Sequence, residues 1–333
     1  MKTEEKILVI GGGSWATALV KLLSNNVSQI HWWMRNREAA DYILKFHHNP
    51  NYLSDVEINT DRVFPITTGL KEAVAKAEII ILATPSAFIK RVLEPLTAAD
   101  FNDKAVFSAI KGIVVEDNII VGDFLNQKLQ IPFGNIGVIT GPCHAEEVAL
   151  EKLSYLTIAS QATAKADLLA SKLSCRHLKA TVSDDIFGTE YSAVLKNIFA
   201  LACGISVGLS YGDNYRAVLI SHAIQEIERF VQKVHPINRD INSSAYLGDL
   251  LVTAFSQFSR NRTFGIMIGK GYSVKSAQIE MNMIAEGYYA TKCIHEINKQ
   301  HQVYMPISDA VYNILYEKIS PLIEMKILSD KLS

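Results

Sequence analysis

Apolar positions in residues 1–180 fall into short continuous runs. Ile7–Ile10, Gln29–Met34, Glu78–Ala83, Ala105–Ala109, Ile136–Thr140 and Tyr155–Ala159 each hold several in succession, as in Glu78-Ile-Ile-Ile-Leu-Ala83. Runs of this length suit strands buried on both faces of a parallel sheet. Between them Thr17–Leu23, Leu70–Lys76 and Ala162–Leu173 have helix-like spacing. The alternation predicts a doubly wound α/β domain over residues 1–183.

After Ser183 the texture changes. Ser183, Asp184 and Asp185 read as a helix start, with a capping hydroxyl and charges that suit the dipole. Phe187–Leu209 is long and mostly apolar, and Ala217–Val234, Tyr246–Phe258, Val274–Met283, Gly287–Asn298 and Ile307–Lys318 follow with helical patterns. No clear strand is visible here. Residues 184–333 therefore read as a second, all-helical domain, so the fold class is α/β plus all-α.

Composition narrows the function classes. At roughly 150 residues per domain, 333 residues make two domains, and 49% hydrophobic with 20% charged residues is ordinary for globular chains. Thirty-three basic residues balance thirty-four acidic ones, so no field points to nucleic acid or a membrane surface. Cys143, Cys175, Cys203 and Cys293 form no CxxC, and His295-Glu296 lacks the second histidine of a zinc-protease motif. No metal is expected. The apolar run after Lys6 meets glycine after four residues, and no run of about eighteen apolar residues occurs, so neither a secretory signal nor a membrane span is expected. Reduced thiols in a cytoplasmic protein are the plain expectation.

The chemistry begins at Ile7-Leu-Val-Ile-Gly11-Gly-Gly13-Ser-Trp-Ala16, a G-x-G-x-x-A between a buried strand and an apolar helix. Gly11 permits the tight turn, Gly13 lets the backbone approach a pyrophosphate, and Ala16 allows close helix–strand packing. The helix start offers N–H groups to phosphates. The first domain is thus expected to be of Rossmann type and to bind a dinucleotide. Its second strand ends in Arg35-Asn36-Arg37, with no carboxylate until Glu38. Guanidinium groups at that place suit the 2′-phosphate of NADP(H), with solvated charges on a helix start as the plain alternative.

Further motifs lie at strand ends and on the apolar helices. Ser108-Ala-Ile-Lys111-Gly112 and Gly141-Pro142-Cys143-His144-Ala145 each follow an apolar strand, at the edge where open α/β sheets bind ligands. Lys196-Asn197 interrupts an apolar helix between Val194, Leu195, Ile198 and Phe199. Such a lysine either snorkels to water or is buried beside a cleft, where a depressed pKa suits it to proton transfer. Ser259-Arg260-Asn261-Arg262 has the composition of an anion site. Cys143-His144 is no nucleophile–base pair, because adjacent residues of a helix point apart. His47-His48 reads as loop or surface, and Tyr288-Tyr289 as packing.

With these segments in order, the chain resembles the bacterial-type glycerol-3-phosphate dehydrogenase [NAD(P)+] family. The resemblance rests on Gly11-Gly-Gly-Ser-Trp15, Ala83-Thr-Pro-Ser86, Lys111-Gly112, Gly141-Pro142, Lys196-Asn197, Gly248-Asp249-Leu250, Ser259-Arg-Asn-Arg262 and Glu286-Gly287. It implies NAD(P)H-dependent, reversible reduction of dihydroxyacetone phosphate to sn-glycerol 3-phosphate for phospholipid synthesis. It implies Lys196 as proton donor or acceptor, Asp249 as orienter of Lys196 or of the substrate hydroxyls, and Lys111 as a contact to cofactor and substrate. Ser14, Trp15, Arg35, Ala145, Arg260, Ile284 and Glu286 would line the cofactor, NADP(H) or NAD(H). Gly141, Cys143, Ser259, Arg260 and Asn261 would line the substrate, with the phosphate on Arg260 and Asn261. The expected partner is this small molecule, with a homodimer left open.

The chain departs from the family pattern at one position and in one short segment. Ala16 stands where glycine is common, and Cys143-His144-Ala145-Glu146-Glu147 stands where Thr-Phe-Ala-Lys-Glu is frequent, which weakens a side-chain role at 143. The alternatives are a related β-hydroxyacid or sugar-acid dehydrogenase, which Ser259–Arg262 opposes, and a non-catalytic NADPH-sensing module, which the two lysines oppose.

Overall fold

The computed structural model describes residues 6–281 and 285–332. The chain divides into two compact units. The first comprises residues up to Ile110 together with Val121–Ile186, and the second Lys111–Ile120 together with the chain from Phe187 onward.

The first unit is built on an eight-stranded sheet. Its strands are β1 (Ile7–Ile10), β2 (Ile30–Trp33), β3 (Val63–Ile66), β4 (Ile79–Leu82), β5 (Ala105–Ser108), β8 (Ile136–Thr140), β9 (Ser154–Ser160) and β10 (Leu178–Ser183). A short hairpin of β6 (Ile113–Val114) and β7 (Ile119–Ile120) lies in the second unit. The sheet order is β10-β9-β8-β5-β4-β1-β2-β3. Helices connect the strands, among them Ser14–Leu23 after β1 and Thr163–Leu173 between β9 and β10.

The continuous apolar runs became the interior strands. Every residue of β1, β4, β5 and β8 is buried, as expected of strands covered on both faces. Two strands escape the apolar-run criterion because they are edges. β3, with Pro65 inside it, pairs only with β2, and β10 pairs only with β9. Proline and alternating polarity are tolerated at an edge, where one side of the ladder needs no partner. The parallel expectation holds from β3 through β8, but β8 and β9 pair antiparallel, so β9 and β10 run against the other six strands.

Among its described residues the second unit is helical apart from the hairpin. Its centre is the helix Ile186–Gly208, of which Leu195, Ile198, Phe199, Leu201 and Ile205 are fully buried. This helix is long and apolar enough to cross a membrane by length and composition, yet 89% of its apolar window is buried inside the protein. It is a core helix. Around it lie Asp213–Val234, Asp249–Phe255, Arg260–Gly269, Glu286–His301 and Pro306–Leu315. The hairpin contributes Ile113 and Ile120 to the same core.

Glycines set the closest of these contacts. Gly204 and Gly208 on the central helix face Gly265 and Gly269 on Arg260–Gly269. A Cβ on Gly204 would strike Arg262 O, and one on Gly265 would strike Leu201 O. The two backbones touch, so nothing larger than hydrogen fits. Gly265→Val should therefore destabilise the protein by about 3 kcal/mol or more, since no side chain can yield to relieve the overlap. Gly134→Ala, where a Cβ meets nothing within 4 Å, should stay within about 0.5 kcal/mol of the parent. Urea unfolding of the two variants measures the contrast.

Candidate active site

The helical unit gathers a charged cluster around Asp249. Lys196 sits mid-helix and is only 3% exposed, and Asp249 is 1% exposed. Lys196 Nζ lies 2.5 Å from Asp249 Oδ1, and Lys111 Nζ lies 3.9 Å from Asp249 Oδ2. The sequence left snorkelling and burial open for Lys196; the lysine is buried. A π-helical turn, Ser244–Gly248, runs directly into the helix that begins at Asp249. Such turns are rare and gather at functional sites, because they rotate the side chains that follow. Thr253 Oγ1 donates to Asp249 O at 2.6 Å.

An asparagine chain binds the neighbouring segments together. Asn197 Nδ2 donates to Lys111 O at 2.9 Å and to Ala193 O at 3.2 Å. Asn261 Nδ2 donates to Asn197 Oδ1 at 2.9 Å, and Gly287 N donates to Asn261 Oδ1 at 2.9 Å. A Cβ on Gly287 would lie 2.7 Å from Asn197 O, so only glycine brings this helix start so near. Ser259 caps its helix, its Oγ accepting from Arg262 N at 3.3 Å. Arg260, next along, is exposed. Lys111, Lys196, Asn197, Asp249, Asn261 and Gly287 thus form one connected site, with Ser259, Arg260 and Glu286 adjoining it in sequence. Ile284 lies outside the described residues.

Opposing forces hold Lys196 near neutrality. Burial, the largest influence, lowers its pKa; the Asp249 carboxylate raises it; the Lys111 cation lowers it again. The result is about 7, against an ordinary 10.5. The group can therefore give up or take a proton near pH 7.

The other predicted residues lie in the α/β unit, at the C-terminal edge of its parallel strands. Gly11 follows β1, Arg35 follows β2 and Gly141 follows β8. Gly11 has φ +136°, and a Cβ there would strike Ala83 O; a Cβ on Gly13 would meet nothing within 4 Å. The turn is packed at its back and open at its front, and the helix Ser14–Leu23 starts there, with Ala16 fully buried beneath. This cradle fits a dinucleotide pyrophosphate. Arg35 and Arg37 are exposed, while Asn36 caps the following helix by accepting from Ala39 N at 3.1 Å. Cys143 is buried and its Sγ donates to Tyr155 O at 2.9 Å, and Ala145 starts a short helix. The Cys143 thiol is thus engaged with backbone, in keeping with the weakened side-chain role read from the sequence. Among the described residues no group of three His, Cys, Asp or Glu side chains is arranged to hold a metal ion.

Residues 6–166 match the family of NAD-dependent glycerol-3-phosphate dehydrogenase N-termini, and residues 185–326 match that of the corresponding C-termini. The chain belongs to the NAD-dependent glycerol-3-phosphate dehydrogenase family. It is 36% identical over 321 residues to the glycerol-3-phosphate dehydrogenase [NAD(P)+] of an Exiguobacterium species, covering 96% of this chain and 94% of the relative. It is 34% identical over 327 residues to that of Bacillus subtilis, covering 96% and 93%. Among solved structures, glycerol-3-phosphate dehydrogenase from Coxiella burnetii superposes with a TM-score of 0.89 at 28% identity, covering 98% of each chain.

Within this family member, the sequence reading missed two features of the site. The glycine pairs 204/208 and 265/269, which press the Arg260–Gly269 helix onto the Lys196 helix, were visible as spacings of four. The role of Asn197 as a connector carried no local signal, because Lys111 and Asn261 come to it from two distant segments.

The balance at Lys196 has signed consequences. Asp249→Asn removes the raising influence and should move the Lys196 titration below about 7, whereas Lys111→Met removes a lowering influence and should move it up. Chemical-shift titration of ¹³Cε-labelled lysine, assigned through Lys196→Met, measures both shifts.

Proposed function

We propose that this chain catalyses the reversible NAD(P)H-dependent reduction of dihydroxyacetone phosphate to sn-glycerol 3-phosphate, with Lys196 as proton donor and acceptor, and so supplies glycerophospholipid synthesis. The observation that carries the assignment to Lys196 is its burial at 2.5 Å from Asp249 with a pKa of about 7. Family membership over both domains supports the reaction, the oxidoreductase class and the NAD or NADP cofactor. In this reading residues 1–183 supply most of the cofactor contacts, and residues 184–333, joined by Lys111, carry the catalytic lysine and the groups for the substrate phosphate.

The cofactor, when bound, supplies or accepts hydride at the substrate carbon. The chain's own residues do the rest. As charge grows on the carbonyl oxygen, the Lys196 ammonium hydrogen-bonds it and passes it a proton; in the reverse direction the neutral amine accepts that proton. Asp249 holds Lys196 in place and keeps its pKa from falling further. Lys111 adds positive charge beside the same carboxylate. Arg260 and Asn261, at a capped helix start with Ser259, hold the substrate phosphate, whose binding fixes the orientation of the reacting carbon. Gly141 and Cys143 offer backbone to the substrate. Gly11, Gly13, Ser14, Trp15, Ala16, Arg35, Ala145 and Glu286 complete the cofactor contacts.

The Ser259–Arg262 helix start favours a phosphate over the carboxylate of a hydroxyacid substrate, and a buried lysine–aspartate pair has no purpose in a mere sensor. A cytoplasmic location is in keeping with four cysteines of which none is in a disulfide. Exposed Leu322, Ile323 and Ile327 on the last helix would give a homodimer a face to bury.

Absorbance at the nicotinamide band, followed with dihydroxyacetone phosphate and either NADH or NADPH, tests the reaction. In that assay Lys196→Met should lose kcat by a factor of about 10² or more while NADPH binding, read by nicotinamide fluorescence, persists. Wild-type turnover would reduce Lys196 to a structural lysine. Replacing Arg35 and Arg37 with neutral residues should weaken NADPH more than NADH; equal losses would show that neither reads the 2′-phosphate.

A further inference from the structure

The carbonyl groups of the glycine turn are held from behind by three side chains. Trp32 is fully buried, and its Nε1 donates to Gly11 O at 2.5 Å. Asn49 is 1% exposed, and its Nδ2 donates to Gly12 O at 3.2 Å and to Thr17 Oγ1 at 2.9 Å. Thr17, also fully buried, passes the chain on, its Oγ1 donating to Gly13 O at 3.0 Å. Three successive carbonyls of a glycine run therefore each accept from a different side chain.

Asn49 reaches across 37 residues of sequence from a loop that is itself anchored. Its Oδ1 accepts from Asn51 N at 3.0 Å, Ile58 N donates to His47 O at 2.7 Å, and His48 bridges Glu57. His47 closes the preceding helix in the left-handed conformation, with φ 63°. The pair His47-His48 thus belongs to the frame that presents Asn49.

A trans peptide is planar, so its C=O and the following N–H point opposite ways. Tying Gly11 O, Gly12 O and Gly13 O to the interior aims the N–H groups of Gly12, Gly13 and Ser14 outward, on the side where Gly13 has open space. Gly13 O is also held by the main-chain bond from Thr17 N at 2.9 Å; at Gly11 and Gly12 the glycine backbone would otherwise leave these directions poorly determined. We propose that Asn49, acting with Thr17 and Trp32, is a positioning residue that aims the glycine-turn N–H groups at the pyrophosphate of the dinucleotide. This rests on the coenzyme reading above. Asn49 acts through the turn, and the pyrophosphate is common to NADH and NADPH, so its loss should weaken both by the same factor, in contrast to Arg35 and Arg37.

The test is titration of NADPH and of NADH by nicotinamide fluorescence for Asn49→Ala, Thr17→Val and Thr17→Ser, with KM for dihydroxyacetone phosphate measured at saturating coenzyme. Asn49→Ala and Thr17→Val should each raise Kd about tenfold for both coenzymes, the scale of a lost buried hydrogen bond. Thr17→Ser, which keeps the hydroxyl, should restore it, and substrate KM should stay within about twofold of the parent in all three. Unchanged Kd in Asn49→Ala and Thr17→Val, with a parent that binds, overturns the clamp alone. So does a loss that Thr17→Ser does not rescue, or one that raises substrate KM in proportion. If Asn49→Ala does not fold, the Thr17 pair decides. A parent that binds neither coenzyme overturns the coenzyme reading and the clamp with it.

Discussion

An ammonium group drawn out of water costs several kcal/mol unless an anion lies against it. Lys196 is drawn out almost completely, and Asp249 is the anion. Much of the helical unit is arranged to keep these two together. Glycine-to-glycine contact lets one helix lie on another, a π-helical turn delivers Asp249, and a hairpin from far earlier in the chain delivers Lys111. Burial alone would leave a neutral amine and pairing alone a permanent cation. Their opposition leaves a group that titrates where cells operate.

The sequence made plain whatever depended on one element. β1, β4, β5 and β8 were legible because burial on both faces demands uninterrupted apolar residues, and the dinucleotide turn because strand, glycines and helix are contiguous. β3 and β10 were not, since an edge strand is free of that demand and Pro65 reads as a break. Lys196 and Asp249 could be singled out as residues, but their 2.5 Å contact depends on packing that no local pattern encodes. Nothing in the local sequence marks Asn49, which follows two histidines. Its importance follows from partners at Gly12 and Thr17 that only the folded chain brings near.

The reversal of β9 and β10 also bears on where ligands meet the sheet. Six parallel strands present their C-terminal ends, and hence the following loops, along one edge. Gly11, Arg35, Ala83 and Gly141 all stand there. β9 and β10 present their starting ends instead, so the edge useful for binding stops at β8. The backbone of β9 serves as an anchor, with Tyr155 O accepting from the Cys143 thiol.

The chain passes between its two units three times, because Lys111–Ile120 belongs with the helices although both its flanks belong with the sheet. This has a consequence for vectorial synthesis. When the last sheet strand leaves the ribosome, β6 and β7 have been made but the core that takes Ile113 and Ile120 has not, and the helix Glu286–His301 that packs on β6 is translated long after the hairpin. Two apolar isoleucines must wait, exposed, until those helices are made. For the same reason a gene fragment beginning at Phe187 would encode a helical unit with an unfilled slot and no Lys111. The boundary at which the chain can be cut in sequence is therefore not a boundary at which it can be cut in space.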